Sequence, residues 1–217
     1  MADKRVKDLS LAGIFGGIIL LLSLVPAPWG LPWGFITIGG GVSITIVHIP
    51  VLIGAIFGGK RVGIYLGLIF GLGSLGAAVL YPGGLNVFFI NPIVSVLPRV
   101  LFGASIYYIF KFFNNVFKND KIAIPYAMGV STLVHTLLVV PLLFLFIYLS
   151  LNSSGIFNLS GGFDQDMTDG VSGLISSGFF TFFIGVFSIN FLIEFIVTIL
   201  VGTPIVITLN KVFKENR

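Results

Sequence analysis

The stretch NPIVSVLPRVLFG, Asn91 to Gly103, places one arginine inside a long apolar run. A guanidinium keeps its proton under all ordinary conditions. Away from water it must therefore find an anion, backbone carbonyls or a wet cavity. The chemistry this suggests is the binding of an anionic group such as a carboxylate, for which the planar donor fork of arginine is well shaped. Asn91, Ser95 and Arg99 follow one another at intervals of four, so on a helix they share one face. Asn91 also opens the apolar run and suits a helix N-cap. The stripe reads as hydrogen-bonding groups above a fixed positive charge, in a cavity open to one side. The competing reading is an arginine that reaches the lipid headgroups or pairs with Glu194.

Further polar residues lie in apolar surroundings. His48 sits in SITIVHIP, and His135 sits in STLVHTLL among Ser131, Thr132 and Thr136. Each is a candidate ligand contact; the competing reading of His48 is an interfacial histidine capping its own helix, and that of His135 a hydrogen bond to a neighbouring helix. Asn190 and Glu194 lie one turn apart in SINFLIEF and either line a cavity or bridge helices; for Glu194 a structural or inter-subunit role is favoured over ligand binding. Trp29 and Trp33, in PAPWGLPWG, form an interfacial aromatic belt or a lid over a ligand. Small residues at Ala12, Gly16 and Gly17, and again at Gly63, Gly67, Gly71 and Gly73, allow close helix approach. For the second group, packing inside the chain suffices. The sequence lacks GxxxxGK[ST], HExxH and GxSxG, so ATP hydrolysis, a paired-histidine metal site and serine hydrolysis are not expected. No cofactor or metal is expected. There are no cysteines, which removes thiolate and disulfide chemistry.

The elements that must position these groups are membrane helices. Of 217 residues, 56% are hydrophobic and 9% charged, against roughly 25% charged in soluble domains. A single all-α membrane domain over residues 1–217 is expected. Runs of sufficient length occur at roughly 9–26, 43–58, 62–80, 92–113, 122–149 and 174–208. The first reads as a retained helix rather than a cleaved leader, because no small-residue cleavage site follows it. The last exceeds what a bilayer needs and is expected to tilt or bend, with Pro204 as the bending point. Six passes put both termini on one side. Lys4, Arg5, Lys7, Lys60, Arg61, Lys111, Lys118, Lys121, Lys211, Lys214 and Arg217 then share that side, while Asp164, Asp166 and Asp169 take the other. By the positive-inside rule the termini are cytoplasmic. The net charge of +4 is thus a topology signal, with no nucleic-acid patch.

The segments ITIVHIPVLIGAIFGGKRVGIYLGLIFGLGSL and NPIVSVLPRVLFGASIYYIFK, together with a small-residue first span and an outer Trp/Pro loop, carry a family resemblance over essentially the whole chain. The sequence resembles the substrate-binding S component of energy-coupling factor (ECF) vitamin transporters, and among these most the pantothenate type. The resemblance implies a plasma-membrane subunit that binds a vitamin from outside. It also implies a membrane coupling subunit and two cytoplasmic ATPases as partners, with ATP used only by those partners. The family's AxxxA docking motif on helix one would fall on Ala12 and Gly16, where glycine replaces the second alanine. A carboxylate vitamin suits Arg99: pantothenate first, with biotin and folate also carrying carboxylates, whereas thiamine is cationic and riboflavin neutral. The expected substrate-binding residues are Arg99, Asn91, Ser95, His48, His135, Trp33 and Asn190. The alternative is a stand-alone secondary carrier or channel for a small organic anion; a membrane-embedded enzyme is disfavoured by the lack of a catalytic pair.

Overall fold

The computed structural model describes residues 2–28, 30–38, 42–82, 84–152 and 178–215. Trp29 and the acidic residues Asp164, Asp166 and Asp169 lie outside the described residues. The helices are α1 (Ala2–Leu24), α2 (His48–Leu80), α3 (Pro92–Ser95), α4 (Leu97–Phe117), α5 (Asp120–Asn152), α6 (Phe179–Val197) and α7 (Thr203–Glu215). A 3₁₀ segment, Gly84–Ile90, leads into α3, and a π turn, Thr198–Gly202, joins α6 to α7. Among the described residues, five helices are long and apolar enough to cross a membrane. Their outer faces carry large apolar side chains such as Leu21, Leu72, Leu101, Leu145 and Leu192, as lipid contact requires.

The spans expected at 43–58 and 62–80 form one element, α2, broken at Gly59. That residue takes φ 76°, ψ −168°, a conformation open to glycine and strained for other residues. The break is a reversal. A Cβ on Gly63 would stand 3.1 Å from Cβ of Ala55, and one on Gly54 would meet the Leu66 side chain. On a straight helix, residues eight apart are separated by about 12 Å. The chain therefore folds back at Gly59 into limbs 48–58 and 60–80.

The second limb carries the small-residue stripe. A Cβ on Gly63 would meet the backbone of Gly103, on Gly67 that of Arg99, and on Gly71 that of Val96, so α4 runs antiparallel to this limb with the two backbones nearly touching. Gly73 and Gly76 meet Ser23 and Leu24 of α1. The expectation that this stripe serves internal packing agrees with these contacts. Ala12 and Gly16 behave likewise. Ala12 is buried in the main core, and a Cβ on Gly16 would strike Ile69. The small pair expected to face a partner is turned inward, because it is the face α1 offers to α2.

Residues 43–47, expected to begin the second span, are not helical. Phe35–Ile38 (β1) and Val42–Thr45 (β2) pair antiparallel, with Phe35 opposite Thr45 and Ile38 opposite Val42. Alternating β-branched residues on either side of Gly39–Gly41 carry the pattern of a hairpin. The helix begins only at His48. Near the C-terminus, a π turn lies immediately before Pro204, the residue expected to bend the last span.

Because α2 and α4 meet backbone to backbone, Gly103→Leu forces a side chain into the Gly63 carbonyl. The expected cost is about 3 kcal/mol, a fall of roughly 6–12 °C in the unfolding midpoint of the detergent-solubilised chain. Gly13→Leu, at an α1 position where a Cβ meets nothing within 4 Å, should leave that midpoint unchanged in the same thermal scan.

Candidate functional site

Pro98 makes the local geometry of Arg99. In an α-helix the carbonyl of residue 94 accepts from the N–H of residue 98. Proline has no N–H, so the Val94 carbonyl is left free. The Arg99 guanidinium takes it: Nη1 donates to Val94 O at 2.7 Å. The guanidinium lies 4.6 Å from the ring centre of Phe89 and 5.6 Å from that of Phe70, within cation–π range. Arg99 is 4% exposed, and its Nε has no hydrogen-bond partner.

Arg99 forms part of the wall of a cavity of about 60 Å³, room for several water molecules. The hairpin contributes Phe35 and Thr45, and the second limb of α2 contributes Ser74. Leu85, Asn86 and Phe89 come from the 3₁₀ segment. His135, Thr136, Val139, Val140 and Leu143 come from α5, and Asn190 and Glu194 from α6. Among the described residues, none of the lining comes from α1. Leu85, Val140 and Leu143 also belong to a second apolar cluster with Phe88, Val94 and Ile147, which fixes the 3₁₀ segment against α5.

Opposite Arg99 the polar groups are tightly tied. Glu194 Oε1 accepts from the Thr45 backbone N–H at 3.1 Å, and Oε2 lies 3.4 Å from His135 Nδ1. Both side chains are 3% exposed. A buried carboxylate held by two donors from different elements pins the hairpin and α5 to α6. The reading of Arg99 as the partner of Glu194 does not describe this arrangement: within 4.0 Å the carboxylate meets His135, and Arg99 bonds a carbonyl.

His48 does not line the cavity; it forms a layer beneath it. Its Nδ1 lies 2.7 Å from the Thr45 carbonyl, which can only accept, so Nδ1 carries the proton. Its Nε2 then accepts from the Thr198 hydroxyl at 2.7 Å. Thr132 Oγ1 is 3.3 Å from that hydroxyl and donates to Met128 O at 3.0 Å. The imidazoles of His48 and His135 stack at 5.6 Å with a 12° interplanar angle. Thr198 opens the π turn.

The other expected site residues fall as follows. Asn91 caps α3, its Oδ1 accepting from Ile93 N at 2.9 Å, and Ser95 Oγ donates to the Asn91 carbonyl at 3.1 Å. Neither lines the cavity, so of the stripe only Arg99 reaches it. Trp33 is 46% exposed, outside the wall. His135 and Asn190 do line it, and so does Glu194, for which a structural or inter-subunit role is expected from the sequence. The spacing of Asn190 and Glu194 already puts both on one face; nothing in sequence spacing marks Phe35, Thr45 or Ser74.

Buried polar atoms nearly always have a partner, so exceptions call for an explanation such as an absent ligand. Among the described residues the unpartnered buried atoms are Arg99 Nε, Ser74 Oγ, His135 Nε2, Asn190 Oδ1, Ser23 Oγ and Ser131 Oγ. All but the last two belong to the wall of this one cavity.

The profile of the family described as ECF transporter, substrate-specific component, matches residues 7–206. The chain is 32% identical to the pantothenate transporter PanT of Leuconostoc mesenteroides over 143 residues, covering 64% of this chain and 69% of that protein. It is 27% identical over 164 residues to the pantothenic acid transporter PanT of Lactococcus lactis, covering 67% and 76% respectively. A cavity lined with buried polar side chains, walls of membrane-crossing helices and a family match over nearly the whole chain agree with one another, and the protein belongs to the substrate-specific components of ECF transporters, as a multi-pass protein of the plasma membrane.

Proposed function

We propose that the chain is the high-affinity vitamin-binding subunit of an ECF transporter, that pantothenate is its substrate, and that Arg99 anchors the substrate carboxylate. The observation that carries this reading is the set of unpartnered polar atoms on the cavity wall, with a permanent cation among them. Pantothenate presents a carboxylate for Arg99, and hydroxyls and an amide N–H for the acceptors Asn190 Oδ1 and Glu194. The relatives named as pantothenate transporters point to the same substrate. With α2 folded back at Gly59, the chain crosses the bilayer six times. The basic residues put both termini in the cytoplasm, and Arg99, near the start of α4, lies in the outer half.

The subunit has no phosphate-binding loop, and the energy comes from a coupling subunit with two ATPases. With Ala12 and Gly16 occupied inside the bundle, the surface of α1 left for a partner helix is one residue on. Gly13 and Gly17 stand four apart, with open space where a Cβ would be, flanked by exposed Leu9, Ile14 and Leu21. Small residues at that spacing admit a second helix closely.

Calorimetry on the purified chain tests the anchor. Wild type should bind pantothenate, and Arg99→Ala should lose about 2–5 kcal/mol of affinity, at least thirtyfold. Undiminished binding by Arg99→Ala would leave the ligand standing and remove Arg99 from the site. Failure of pantothenate to bind wild type would sink the substrate assignment.

Co-expression tests the partner face. Gly17→Leu should cut recovery of the coupling subunit and ATPases at least tenfold while pantothenate binding is unchanged. Pantothenate uptake into liposomes by the chain alone would instead favour a stand-alone carrier.

A further inference from the structure

The cavity holds two opposite fixed charges, Arg99 and Glu194, and adding a monoanion leaves it with one uncompensated negative charge. Such a charge at membrane depth costs several kcal/mol. The ionisable groups facing His135 among the described residues are His48 from α2, Arg99 from α4 and Glu194 from α6. His48 is saturated as a neutral ring, because Nδ1 donates to Thr45 O and Nε2 accepts from Thr198. His135 is different. Its Nδ1 lies toward a carboxylate, which only accepts, so that nitrogen carries a proton. In the neutral ring its Nε2 then carries a bare lone pair, and that atom is buried, without a partner, on a side chain that lines the cavity.

We infer that the site binds its carboxylate ligand together with one proton, taken from solvent onto His135 Nε2. The doubly protonated ring keeps its Nδ1–H on Glu194 and gains an Nε2–H donor for an oxygen of the ligand. The charges in the cavity then sum to zero with ligand bound, as they do without it: Arg99 and His135 positive, Glu194 and the ligand negative. The faces of Phe70 and Phe102, at 5.7 and 4.9 Å from the His135 ring centre, accommodate a cationic ring as well as a neutral one. The inference rests on the cavity being the anion site proposed above.

The test is calorimetry on the full chain near neutral pH in phosphate, HEPES and Tris, which differ in ionisation enthalpy. The slope of observed binding enthalpy against buffer enthalpy counts the protons taken up. For pantothenate a slope near one is expected. For pantothenol, in which an alcohol replaces the carboxylate, a slope near zero is expected. By linkage, pantothenate affinity should also fall with rising pH, approaching tenfold per unit. His135→Gln, which hydrogen-bonds but does not titrate, should bring the pantothenate slope to zero. A zero slope for pantothenate that does bind wild type, or equal slopes for the two ligands, overturns the inference. A slope unchanged in His135→Gln overturns the assignment to that residue. Absence of any pantothenate binding fails earlier, at the reading of the site, and takes this inference with it.

Discussion

Arg99 keeps its charge wherever the fold puts it, and hydrocarbon offers that charge no partner. The way the chain meets this demand organises the molecule around it. Pro98 leaves the Val94 carbonyl free, and the guanidinium takes it. The rings of Phe89 and Phe70 cover its faces. Its remaining donor capacity is left toward the cavity, whose far wall carries a carboxylate. That carboxylate is in turn fixed by the hairpin and by α5, so two charges of opposite sign are held apart across one small space. Helices that bring charges this deep must be rigid, and rigidity comes from the contact of α2 with α4, where glycines let the backbones approach almost to touching.

Beneath the wall lies a second polar layer, Thr45, His48, Thr198 and Thr132, joined by hydrogen bonds from strand to π turn to α5. Such a layer is costly to leave half satisfied. Here it supports the stacked pair of imidazoles. The same Thr45 serves both layers: its N–H binds Glu194 and its carbonyl binds His48. One residue at the end of a short strand thus sets the relative position of the cavity wall and the layer below.

Much of this was legible in the sequence, for reasons that mark the boundary of what sequence can show. Apolar run lengths gave the membrane helices, because span length is fixed by the bilayer. The single intramembrane arginine stood out because every other basic residue lies at a break or terminus. The Gly63, Gly67, Gly71 stripe was visible because helical periodicity puts it on one face. The hairpin was missed because its β-branched alternation abuts an apolar helix, and hydropathy alone merges the two. Asn91 and Ser95 share a face with Arg99, yet their polar atoms are satisfied locally, and spacing does not say which member of a stripe reaches a cavity. The inward turn of Ala12 and Gly16 depends on which face α1 gives to α2, a tertiary fact. Phe35, Thr45 and Ser74 reach the wall from elements distant in sequence, and nothing in their local context marks them.

Among the described residues the cavity takes its wall from the hairpin, the 3₁₀ segment, α2, α4, α5 and α6, and not from α1. On the proposed reading, in which the cavity takes the substrate and the outward face of α1 takes the partner, recognition and assembly are written on separate parts of the chain. Wall residues can be exchanged to suit a vitamin of different shape or charge without altering the outward surface of the first helix. Conversely, that surface can stay constant across chains whose ligands have nothing in common. A protein divided in this way can diversify in what it captures while remaining interchangeable in what it plugs into.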